Sequence, residues 1–282
     1  LLALGRTEEA KALSREVYSL TEKVLVRQPG DLHSLANRYL AANMLSEVAS
    51  LQQDPAVAMD FADRAIQAAE DSVRFNPANL ETWASWISGL DFMAYLQLAR
   101  GEISRAIGSM EAGLALENDP RAPAGVGTML APMRAALANL QAQSGDTAAA
   151  RRSIEAGRRN ADAFIARLPA EDPRHQIFAN AIDRWSNRVT LVSGDPATAL
   201  ASATADLEIL DRIVVPEGQT SAGQALLGER RNSLTTAANA AIQLGRGPQA
   251  EKMARELLAH PPRQASELDL RIVTSRHRTQ QA

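Results

Sequence analysis

The sequence has no cysteine, which excludes disulfide frameworks, thiolate zinc sites, iron–sulfur clusters and cysteine nucleophiles. Aromatic residues are scarce, at 4% of the 282 residues, and together with abundant alanine this argues for closely packed helices rather than a sandwich or barrel. Neither sign of charge dominates: 30 basic against 33 acidic residues leave a formal net charge of -3. That balance offers no overall attraction to nucleic acid or an anionic membrane. Long apolar runs are missing too. Arginine, aspartate or glutamate recurs too often for the roughly 18 consecutive apolar residues of a membrane span, so no membrane insertion is expected. The opening Leu1-Leu2-Ala3-Leu4-Gly5 has neither an initiator methionine nor the charged start of a signal peptide. A piece of a longer cytoplasmic protein is expected, with the periplasm left open.

What the sequence does contain is a period. A glycine followed five residues later by alanine occurs at Gly5/Ala10, Gly101/Ala106, Gly145/Ala150, Gly194/Ala199 and Gly245/Ala250, and Gln53/Ala58 fills the gap. The alanines step by 48, 48, 44, 49 and 51 residues. Prolines punctuate the same units, leaving in each two segments long enough to be helices. Within them the patterning is helical: Ala58, Phe61, Ala62, Ala65, Ile66, Ala69 and Val73 recur at three- and four-residue steps, with Asp60, Asp63, Arg64, Asp71 and Arg74 between. Boundary residues agree. Asp31, Asn79, Asp146 and Asp195 are placed to cap the helices they precede. The turn glycines are placed to end helices in a left-handed conformation, and Pro55, Pro196 and Pro248 to stand in first turns. No stretch shows sustained β-branched alternation, so no sheet is expected.

Helix, glycine turn, alanine five residues on, second helix and closing proline together resemble the tetratricopeptide repeat. The motif is clearest in Gly101-Glu102-Ile103-Ser104-Arg105-Ala106 and Gly145-Asp146-Thr147-Ala148-Ala149-Ala150. Small residues seven before the turn, at Ser46, Ala94, Ala138, Asn187 and Ala238, match the positions where that family packs its two helices tightly. The usual repeat has 34 residues; here each helix is longer by about seven, nearly two turns, which adds about 10 Å while returning the apolar stripe to nearly the same face. The resemblance implies an all-α, right-handed α-solenoid of antiparallel helix pairs, one array with units near 1–29, 30–77, 78–120, 121–169, 170–216 and 217–262. Residues 263–282 are expected to add a capping helix and tail.

Chemistry is sparse. The four histidines, His33, His175, His260 and His277, lie in different units without ligand spacing. Gly223 to Gly228 has the glycine spacing of a phosphate loop, but Glu229-Arg230 stands where lysine and a hydroxyl are needed. Arg230-Arg231-Asn232-Ser233 resembles a phosphorylation site on a helix. Acidic pairs such as Glu8-Glu9 and Glu70-Asp71 fall on outer faces. No catalytic, cofactor or metal site is expected, and the chain is not expected to be an enzyme. Trp83, Trp86 and Trp185, with Phe92 and Tyr95, fit core packing at helical spacing, or, where Trp86 or Tyr95 faces a groove, an anchor for a partner.

In the family resembled, first helices line a concave wall that holds peptide segments. Alignment on the turn places Asn43, Asp91, Ala135, Arg184 and Thr235 in one inward row, with Glu47, Tyr95, Asn139, Arg188 and Asn239 one turn later. Asparagines suit peptide backbone and arginines suit carboxylates. The resemblance implies a scaffold binding a protein or peptide in this groove. The alternative is a regulatory arm of a larger bacterial signalling enzyme, an ATPase, kinase or cyclase, with its catalytic domain upstream. Self-association through an apolar end at Leu1 to Leu4 is a further expectation.

Overall fold

The computed structural model describes residues 5–179 and 181–259. Leu1 to Leu4, His260, Pro261-Pro262, His277 and the expected capping segment 263–282 lie outside the described residues. All regular structure among them is helical, in sequential antiparallel pairs. Packing divides the chain into two compact units that meet in sequence at Gly127 and Thr128, where the sequence reading treats it as one array. The first holds α1 (Thr7–Arg27), α2 (Leu32–Leu51), α3 (Pro55–Phe75), α4 (Leu80–Ala99) and α5 (Ile103–Ala115). The second holds α6 (Ala131–Gln143), α7 (Thr147–Ile165), α8 (Pro173–Phe178), α9 (Ala181–Val192), α10 (Pro196–Leu210), α11 (Thr220–Gln243) and α12 (Gly247–Ala259).

One turn recurs in five of the helix hairpins. The amides of Asp54, Glu102, Asp146, Asp195 and Arg246 donate back to the carbonyls of Ala49, Gln97, Gln141, Thr190 and Ala241, at 2.9 to 3.2 Å. This six-to-one bond closes the helix end when the residue before the donor turns left-handed. That residue is Gly101, Gly145, Gly194 or Gly245, with φ of 77°, 89°, 94° and 70°, and Gln53 takes the same conformation at 58°. The donor's side chain then caps the next helix in three of the five turns: Asp54, Asp146 and Asp195 accept from Val57, Ala149 and Thr198. Asp31 and Asn79 cap α2 and α4 in the same way.

Beyond the turn the paired helices cross on small side chains. Ser46 and Ala58, Ala94 and Ala106, and Ala138 and Ala150 are all 0% exposed, and Ser46 Oγ donates to the Ala58 carbonyl at 2.5 Å. One turn along, a polar clasp that the sequence reading missed appears twice. Ser109 Oγ donates to Gln97 Oε1 at 2.9 Å, and Ser153 Oγ donates to Gln141 Oε1 at 2.8 Å. Both clasps join residues twelve apart, the same separation as the small pairs.

The long-helix expectation holds for α1 to α4, at 20 or 21 residues each, but α5 and α6 have only 13. Between them Pro120, Pro123, Gly125 and Gly127 remove amide donors and relax the backbone, so residues 119–130 form turns with one short 3-10 segment.

The turn geometry sets two stabilities of opposite sign. Gln53→Gly is expected to raise unfolding free energy by about 0.5–1 kcal/mol by relieving left-handed strain. Gly145→Ala should lower it by about 1 kcal/mol, because a methyl group there meets nothing within 4 Å and only the backbone conformation suffers. Midpoints of urea unfolding check both.

Candidate functional site

Within each unit the first helices of successive pairs lie nearer to one another than the second helices do. In the second unit α9 packs against both α6 and α11; in the first, α4 packs against α2; no successive second helices pack to that extent. Helices that converge on one side of a stack define its inner side. Burial sorts the residues singled out from the sequence into two groups.

In the first unit Asn43 and Glu47 are half-buried on α2, and Asp91 is exposed on α4. Desolvation by the surrounding protein pushes the Asp91 carboxyl up to about 6. In the second unit Asn139, Arg188 and Asn239, one from each of α6, α9 and α11, are half-buried. Burial pulls the Arg188 guanidinium down from its ordinary range, with no neighbouring charge acting on it. Arg188 has no ion-pair partner among the described residues.

Tyr95, Arg184 and Thr235 do not face a groove, contrary to expectation, and neither does Ala135. Tyr95 is 5% exposed, packed among Ala49, Ala58 and Ala62 and stacked on Phe92 at 5.7 Å between ring centres. Thr235 turns its hydroxyl back to the Arg231 carbonyl at 2.7 Å. Arg184 is a core residue: its Nε donates to Glu229 Oε2 at 3.0 Å, and its Nη2 donates to the Ile177 carbonyl. The other Glu229 oxygen accepts from Trp185 Nε1 at 3.2 Å. Burial pushes the Glu229 carboxyl up, while Arg184 and Trp185 pull it back. Four residues advance a helix by about 40° beyond a full turn, which separates buried Ala135, Arg184 and Thr235 from half-buried Asn139, Arg188 and Asn239. The basic centre of the expected groove therefore shrinks to one cation. No pattern in a single sequence distinguishes the two arginines; the partner Glu229 lies 45 positions away.

Other marked residues fall into the core. Trp83 is 0% exposed and donates from Nε1 to the Pro77 carbonyl at 2.8 Å, with the half-buried Trp86 ring 5.9 Å away. Ser233 is 2% exposed inside α11, beyond reach of a modifying enzyme in the folded chain. Among the described residues no three histidine or acidic side chains gather as a metal site, and no helix is long and apolar enough to cross a membrane.

No protein-family model matches the sequence, and no curated protein matches it. In fold the chain is similar to BtubC (BKLC) from P. vanneervenii, with a TM-score of 0.58 at 14% identity, over 91% of this chain and 94% of that one. BtubC is a helical protein with tetratricopeptide-like repeats. The chain thus shares an all-α fold of antiparallel helix pairs with a repeat protein.

The buried Arg184–Glu229 pair makes a clear energetic statement. Arg184→Met alone should cost about 3–5 kcal/mol, because it strands a buried carboxylate. Adding Glu229→Leu should recover most of that loss, and a double-mutant cycle on urea unfolding measures the coupling.

Proposed function

We propose that this chain is a non-catalytic, tetratricopeptide-like scaffold that binds an extended acidic segment of another protein along the first helices of its second unit. The observation that supports this most is Arg188, a partly desolvated cation without an ion-pair partner among the described residues, on the helix that packs against those carrying Asn139 and Asn239. A guanidinium held partly out of water gains from a carboxylate more than an exposed one does, since part of its dehydration is already complete. The asparagine amides each offer a donor and an acceptor, the pair that a peptide backbone presents in extended form. Similarity in fold to a repeat protein is consistent with such use. In the first unit Asn43, Glu47 and Asp91 occupy related positions with the opposite charge, and we assign them a basic or neutral stretch of partner.

The test is selection of 12-residue peptides from a displayed random library. Enriched sequences should carry aspartate or glutamate, and Arg188→Glu should weaken their binding at least about tenfold, the worth of one charge-assisted contact, with helicity unchanged. Enrichment of peptides without acidic residues, or binding indifferent to Arg188→Glu, contradicts the proposal.

A further inference from the structure

Outside the inner side, α1 carries an apolar stripe that its own unit leaves uncovered. Leu13, Leu20 and Val24 are 54%, 53% and 40% exposed, and Val17 among them is half-buried. Steps of four, three and four residues set these side chains on one heptad seam. The core-facing side of the helix is Ala10, Ser14, Thr21 and Leu25, so the seam lies beside the buried face and not within it.

The seam reads the same in both directions. Laid antiparallel on a second α1, Leu13 meets Val24 and Val17 meets Leu20, each pair occurring twice about a twofold axis. The charges along the flank away from the core repeat this symmetry: Glu9 and Glu16 precede the midpoint, and Lys23 and Arg27 follow it. Reversal brings Glu16 within about two residues, or 3 Å along the axis, of level with Lys23, and Glu9 near Arg27. An in-register parallel pairing would instead set the acidic halves side by side. Glu16, Lys23 and Arg27 have no ion-pair partner among the described residues, and Glu9 holds only an exposed pair with Arg6. Antiparallel pairing also sets the positive end of each helix dipole beside the negative end of the other.

We infer that α1 is a self-association surface, on which a second copy of this chain packs its own α1 antiparallel across Leu13, Val17, Leu20 and Val24. The occupant is a copy of the chain because the apolar seam and the charge ladder share one centre of symmetry, the property an isologous contact requires. One pair of helices about 31 Å long is smaller than a standard interface of about 1,600 Å², so the dimer is weak and reverses on dilution.

Sedimentation of the chain between about 5 and 500 μM, a range around the affinity of a small interface, should show monomer and dimer in exchange. Leu20→Glu should raise the dissociation constant at least about tenfold by setting carboxylates against the seam. Glu16→Lys and Lys23→Glu should each weaken the dimer, and the double exchange should restore it, which only the antiparallel register predicts. Leu20, Glu16 and Lys23 are all exposed, so circular dichroism should show unchanged helicity. A chain that stays monomeric throughout, a dimer indifferent to Leu20→Glu, or a double exchange that fails to restore association overturns the inference.

Discussion

The close approach of two helices at a small side chain is the constraint on which the rest of this structure depends. Ala58, Ala106, Ala150 and Ala199 are each 0% exposed and Ala250 is 6% exposed, one in each of the five hairpins, at the point where a second helix crosses its partner. A larger side chain there would force the helices apart and, with them, the turn that joins them. The turn is equally strict: the left-handed residue and the six-to-one hydrogen bond operate together in all five, joined in three by an acidic cap, so that leaving one helix and entering the next takes about four residues.

That constraint made the architecture readable from sequence. Spacing alone marked the turns, including the one where Gln53 replaces glycine, because turn and crossing lie at a constant separation whatever the helix lengths. Helix length was less readable. Proline and glycine around residues 119–130 end α5 and begin α6 late, and a rule built on average spacing passes over them. The candidate site was readable only to the nearest turn of helix. Asn139, Arg188 and Asn239 lie where a surface residue should, whereas Arg184, one turn earlier, is committed to Glu229 on another helix. Side-chain partners 45 positions apart leave no local trace in one sequence.

The two arginines of α9 differ in burial and in whether their charge is answered within the fold. Arg184 is enclosed, and its charge is answered by Glu229 and a carbonyl; its contribution is to hold α9 against α11. Arg188 gives up part of its hydration without an internal answer. A fold tolerates such an imbalance at a modest cost, and a ligand carboxylate is what would remove it. Asp91 poses the same imbalance with opposite sign in the first unit, since desolvation alone raises its carboxyl to about 6. Among the described residues neither position has an ion-pair partner, in contrast to surface pairs such as Arg64 with Asp60, which contribute little either way.

The central claim, that each hairpin requires smallness at its crossing, is tested most directly by placing leucine at buried and exposed alanines of otherwise identical helices. Urea unfolding of Ala106→Leu and Ala199→Leu should show losses of about 1–3 kcal/mol from overpacking, while Ala201→Leu, on the exposed side of α10, should stay within about 0.5 kcal/mol of the parent. Equal tolerance of leucine at all three positions would contradict the account.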